Sequence, residues 1–185
     1  DEVKVRRLAF IRYLYNVGVE QSIQPEPLNA VSLLSFHDAA ELFLQISSEH
    51  LNVNKVDNEF MSFWDIINSK LNPNELTQKE SMRRLNKARV QLKHNGTSPS
   101  KLDIESFRAT TTSFFNENTF IIFGIEFNSI SMIELIAYEN TKKRLDIAQG
   151  LIKENKIDEA LKEIAISFSY LIHDYEQKKR SQFGR

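Results

Sequence analysis

Apolar residues recur every three or four positions along most of this chain, the spacing that puts side chains on one face of an α-helix. Val5, Leu8, Ile11 and Tyr15 predict a first helix reaching Gly18, and Pro25-Glu26-Pro27 prepares a second. That second helix carries the clearest stripe, with Leu33, Phe36, Ala40, Phe43 and Leu44 running to about Ile46. Asp57 or Asn58 is expected to cap a third helix with Phe60, Phe63, Trp64, Ile67 and Leu71, stopped by Asn72-Pro73. Thr77-Gln-Lys-Glu80 has the spacing of a capping box and opens a fourth helix that ends at Asn95-Gly96. Ile104, Phe107, Thr111 and Phe114 mark a fifth, ending near Asn116 to Asn118.

The run Phe120-Ile-Ile-Phe-Gly-Ile-Glu-Phe127 breaks this period, and two readings of it stay open, a buried strand or an extended apolar connector. A capped restart at Ser129 or Ser131 leads to about Tyr138. Two amphipathic helices then meet around Glu154-Asn155-Lys156, with Ile147, Ala148, Leu151 and Ile152 set to face Ala160, Leu161, Ile164, Ala165, Phe168 and Tyr175. The pair resembles a single tetratricopeptide-type unit, and no second copy follows at that period. The expected architecture is all-α: a helical bundle over residues 1–118, an apolar connector and short helix over 119–138, and a helical hairpin over 139–185.

Composition narrows the classes. Five Gly and four Pro in 185 residues leave little punctuation for a strand-and-turn fold. Zero Cys excludes disulfides, a thiolate nucleophile and sulfur-ligated zinc, and fits a reducing, cytoplasmic setting. No apolar run is long enough to span a membrane, and the start lacks the pattern of a signal peptide. The absence of an initial Met and the polar end from Glu176 to Arg185 suggest a fragment with further domains or a partner protein outside it.

The net charge of −1 hides an uneven distribution. From Lys79 to Lys101 seven basic residues face the single acid Glu80, a local net charge of +6, while the remainder carries −7. Such a block is the electrostatic footprint of a phosphate or nucleic-acid partner, and equally that of a solvated helix face. Arg89 falls within the apolar stripe of Met82, Leu85 and Leu92, so its guanidinium needs an anionic or hydrogen-bonding partner: Glu41, a second subunit or a phosphate. His94 follows at the helix end, where the macrodipole favours imidazolium. Lys79, Arg83, Arg84 and Lys87 wrap the helix, so part of this charge must form a basic surface. His37 and Glu41, at i and i+4, have metal-ligand spacing without a convincing third ligand and read as a structural pair. Trp64, with Phe60 and Phe63, reads as core rather than as a base-stacking platform. No glycine-rich phosphate loop or nucleophile elbow is present.

Arg89-Val-Gln-Leu-Lys-His94, followed by Asn95-Gly96 on the last turns of a helix in an all-helical chain, resembles the Arg-x4–6-His signature of the HEPN superfamily (higher eukaryotes and prokaryotes nucleotide-binding). The basic local charge and the upstream helix with Ser35-Phe-His-Asp-Ala-Ala-Glu41 add to the likeness, which covers roughly residues 27–118. The resemblance implies a bundle that homodimerises so that two motifs share one cleft, an RNA-binding domain and metal-independent endoribonuclease of a prokaryotic defence or toxin system. It assigns Arg89 and His94 as catalytic, Lys93 and Asn95 as auxiliary phosphate contacts alongside Lys87 and Arg84, and no metal or cofactor. Val90 stands where the family commonly has a polar residue after the Arg, and Gly96 where some family toxins carry a nucleotidylated Tyr. The competing class is a non-catalytic interaction or oligomerisation module of a larger protein, in which Arg89 locks an interface.

Overall fold

The computed structural model describes residues 2–53 and 59–184. All regular structure among them is helical. Seven α-helices, α1 (Glu2–Ser22), α2 (Ser32–His50), α3 (Ser62–Leu71), α4 (Lys79–Asn95), α5 (Lys101–Phe123), α6 (Glu139–Lys153) and α7 (Ile157–Phe183), are joined by loops and three short 3₁₀ turns. The all-α class expected from the periodicity is thus the observed one. Two compact units divide the chain, Asp1–Ile130 and Ser131–Arg185. The expected cap at Asp57 or Asn58 lies outside the described residues.

In the first unit α2 is the central element, touching α1, α3, α4 and α5. Its stripe of Leu33, Phe36, Ala40, Phe43 and Leu44 is sealed from solvent, as the pattern requires. Phe43 meets the edges of Phe114 and Phe115 from α5 at centroid distances of 5.5 and 5.6 Å. Phe115 in turn stacks on Phe127 at 4.6 Å. Edge-to-face and offset contacts of this kind each add roughly 0.5–1.5 kcal/mol to the area they bury. Trp64 is fully buried and donates its indole N–H to the Thr77 carbonyl at 3.3 Å, which makes it a core residue.

Helix α1 does not stop at Gly18. It continues to Ser22, and Gly18 packs directly against α2: a Cβ built there would sit 2.6 Å from the Phe36 ring. The glycine is a packing requirement rather than a terminator.

Helix α5 also overruns its expected end, and the reason is tertiary. Asn118, read as a stop signal, is completely buried and donates Nδ2–H to the Phe114 carbonyl (2.8 Å) and to Thr77 Oγ1 (3.1 Å). Its Oδ1 accepts from the Thr77 backbone N–H at 2.9 Å. A side chain that satisfies the helix's own carbonyl and a neighbouring loop has no reason to end the helix. The chain turns instead at Gly124, whose φ of +68° supplies the left-handed cap. The segment 120–127 is therefore the last turn of α5 followed by a short 3₁₀ turn, and neither a strand nor an extended connector.

The same Asn118 bonds explain why the capping box at Thr77 does not form. Thr77 Oγ1 is engaged by Asn118, the residue before α4 is Gln78 in left-handed geometry, and Glu80 pairs with Arg83. A capping box exists one helix later, where Ser100 Oγ accepts from the Asp103 N–H and Asp103 reaches back to the Ser100 N–H.

In the second unit Ser131 Oγ accepts from the Ile133 N–H, and only a 3₁₀ turn over Met132–Leu135 follows instead of a helix to Tyr138. The hairpin of α6 and α7 closes through Ala148 and Ala160, both buried, and an Arg144–Glu163 ion pair at 3.1 Å. The contact is narrower than the apolar pattern suggests. On α7 it uses Ala160 and Ser167, whereas Leu161, Ile164, Phe168 and Tyr175 remain exposed. Small residues let the two backbones approach, and that approach rotates the larger apolar side chains out of the contact.

Gly18→Ala is expected to destabilise the chain by about 1–3 kcal/mol, because the fully buried Phe36 ring must move and this outweighs a helix-propensity gain of about 1 kcal/mol. Gly150→Ala, with nothing within 4 Å of the new Cβ, is expected to be neutral or stabilising. Urea unfolding midpoints of the two variants read the contrast directly.

Candidate nucleic-acid interface

Helix α4 carries the basic block, and two anchors place it. The Leu76 N–H donates to Asn68 Oδ1 at 2.8 Å and the Thr77 N–H to Asn118, so the chain enters α4 from a fixed loop. Met82 and Leu85, both fully buried, then set which side of the helix faces inward. At 100° per residue Arg89 lies between these two in angle, and it is half-buried on the inward side. His94 lies about 140° further round and is exposed.

The inward side forms a polar cluster against α2. His37, 2% exposed, has its Nε2 at 2.9 Å from Asn86 Oδ1 and its ring 4.5 Å from that of Phe60. With Asn86 Oδ1 as acceptor the imidazole proton sits on Nε2, leaving Nδ1 as a bare lone pair. Among the described residues that nitrogen has no hydrogen-bond partner, and it stands 3.8 Å from both Asp38 Oδ1 and Glu41 Oε2. Burial pushes the His37 pKa below its ordinary value, the Arg89 charge pushes it the same way, and Glu41 partly opposes them. Arg89 Nε is itself buried without a hydrogen-bond partner among the described residues. Among the described residues Arg89 makes no ion pair with Glu41, the partner its sequence position suggested; both act instead on His37.

Asp38 supplies the third ligand atom that spacing alone did not reveal, within 4.8 Å of those of His37 and Glu41. The guanidinium of Arg89 beside the same ring works against holding a cation there. The cluster is better described as the polar seam that fixes α4 on α2.

The outward side is basic. Arg83, Lys87 and His94 fall within about 40° of one another around the axis, with Arg84 and Asn95 on one flank; Lys93 falls in line with Met82 and Asn86 but is exposed, in the last turn of the helix. Arg83 is held by Glu80 at 3.2 Å and Lys79 by Asp65 at 2.8 Å. Among the described residues Arg84, Lys87 and Lys93 make no ion pair, so their charges are open to a ligand. Asn95 donates to Gln91 Oε1 at 2.6 Å. Beside the Arg84 flank a shallow groove runs between α4 and the start of α5, lined by Ala88, Gln91, Asp103 and Phe107.

Within one chain the structure therefore gathers His94 with Arg83 and Lys87, sets Arg84 and Asn95 at one edge, and puts Arg89 on the other side with His37 and Asn86, where Lys93 is exposed one turn further on. Sequence reasoning missed Asn86 and the link from His37 to Arg89. Asn86 and Arg89 stand at i and i+3, as His37 and Glu41 stand at i and i+4, but no pattern in one sequence pairs two helices in register. His50 packs its ring 4.9 Å from Phe123 and His173 is exposed. Comparison with models of protein families, with curated proteins and with solved structures finds no match to this chain.

The folded-state pKa of His37 lies below its unfolded value near 6.5, so below that pH the unfolded chain binds the extra proton. The His37 contribution to stability is present above about pH 6.5 and is lost as pH falls toward the folded value. Arg89→Met removes one of the two causes and is expected to raise the His37 pKa, read from its imidazole resonances across a pH titration. An unchanged His37 titration would separate the two residues.

Proposed function

We propose that this chain binds single-stranded RNA through the outward face of α4. The observation that carries the reading is the sidedness of that helix: packing commits Met82, Leu85, Asn86 and Arg89 inward, so Arg84 and Lys87 present unpaired charge beside an exposed His94, and Lys93 adds an exposed cation in the last turn. A row of cations on one rigid helix neutralises successive backbone phosphates, and the groove toward α5 gives an unpaired strand a surface to lie against.

The resemblance of Arg89 to His94 to the HEPN signature supports a catalytic form of the same reading, metal-independent cleavage as in prokaryotic defence and toxin systems. In it His94 takes the proton of the attacking ribose 2′-hydroxyl or returns one to the leaving oxygen, and Arg89 clamps the scissile phosphate. Because the two side chains diverge on one helix, this form needs motifs from two copies in a shared cleft.

Two arms of one experiment test the proposal. Affinity for a single-stranded RNA is expected to fall about 20-fold between 50 and 200 mM salt if three phosphates are neutralised, and the slope is expected to shallow when Arg84 and Lys87 are replaced by Ala. Salt-independent binding, or none, leaves the assembly-module reading in its place. With chelator present, His94→Ala is expected to abolish any cleavage, a general acid or base being worth about 10²–10⁴-fold, while most of the affinity remains. Wild-type chain that binds but never cuts retains the binding reading and removes the catalytic one.

A further inference from the structure

The 27-residue helix α7 carries more exposed apolar surface than its hairpin partner α6 covers. Leu161, Ile164, Phe168, Ile172 and Tyr175 are all exposed, Leu161 at 58% and Phe168 at 62%. Their angles around the axis fall within about 80° of one another, so they form one continuous stripe beside the residues that face α6. A row of large apolar side chains in water is the signature of a surface that binds protein.

The order of the stripe identifies the partner. From Leu161 to Tyr175 its spacings are 3, 4, 4 and 3, which read the same in both directions from Phe168; Ile157, also exposed, extends the stripe by one turn to the position that the same axis sets against Lys179. A second α7 laid antiparallel across the first, with the two-fold axis at Phe168, sets Leu161 of each copy against Tyr175 of the other. It likewise sets Ile164 against Ile172, and Phe168 against itself. An isologous contact requires this self-complementarity, which an arbitrary partner does not.

Charge points the same way. The first turn of α7 holds Asp158 and Glu159, while Lys178, Lys179 and Arg180 lie near its other end. The same two-fold axis brings the acidic end of each copy to the height of the basic end of the other, and a parallel pair would stack like charges. Residues 158 and 178 are equidistant from 168, so the charged ends and the apolar stripe share one centre.

We propose that α7 is a homodimerisation helix that pairs antiparallel with α7 of a second copy of this chain, centred on Phe168. This contact does not rest on the RNA-binding reading. Sedimentation equilibrium of the full chain is expected to give a dimer, and Phe168→Lys a monomer with unchanged helicity, since the side chain is exposed. Asp158→Lys with Glu159→Lys is expected to weaken dimerisation about tenfold or more. Adding Lys178→Glu and Lys179→Glu to that variant is expected to restore it, because each reversed end again meets its opposite. A monomeric wild type would overturn the proposal and leave the stripe to a different protein, and a dimer that survives Phe168→Lys would overturn it by placing the contact elsewhere. Failure of the fourfold variant to regain affinity would overturn the antiparallel pairing.

Discussion

The contact between α2 and α4 is the constraint on which the candidate interface depends. Met82 and Leu85 supply the apolar part and the Asn86–His37 hydrogen bond the directional part. Burying Met82 and Leu85 fixes the rotation of α4 to within the width of one side chain, and a helix whose rotation is fixed has every other position assigned by the 3.6-residue turn. Arg89 then falls against His37 while Lys87 and His94 face outward. The basic surface is thus a consequence of core packing and needs no contact of its own to hold it.

The inward cluster is costly in isolation. A nearly buried imidazole with one bare nitrogen and a half-buried guanidinium with an unpaired Nε each lose hydration that the protein replaces only in part. The arrangement is tolerable because His37 meets that cost by staying neutral, which also spares it repulsion from Arg89. Asp38 and Glu41 stand 3.8 Å from His37 Nδ1, too far for a hydrogen bond.

Much of this was legible in the sequence. The all-α class followed from the three- and four-residue spacing, the α2 stripe from Leu33 to Leu44 reads off directly, and the half-buried place of Arg89 follows from Met82 and Leu85. What could not be read were effects of long-range partners on local signals. Gly18 looks like a terminator until Phe36 is seen against it. Asn118 and Thr77 each carry a strong local preference, for ending α5 and for capping α4, and each gives it up to bond the other. The apolar run after Asn118 therefore lacks a helical period only if the helix ends there, and α5 runs on to Phe123. In the hairpin, hydrophobicity predicted a wide contact, whereas Ala148, Ala160 and Ser167 show that small size decided which face went inside.

The central claim is that α4 has an inner face committed to α2 and an outer face free to take a polyanion. Imidazole resonances report on both faces at once, since His37 lies on one and His94 on the other, and only two further histidines, His50 and His173, are present. Titrating the chain with a short single-stranded RNA is predicted to shift the His94 signals progressively while those of His37 stay in place. Movement of His37 with a stationary His94 would contradict the account, because the ligand would then be reaching Arg89 through the face that packing is said to close.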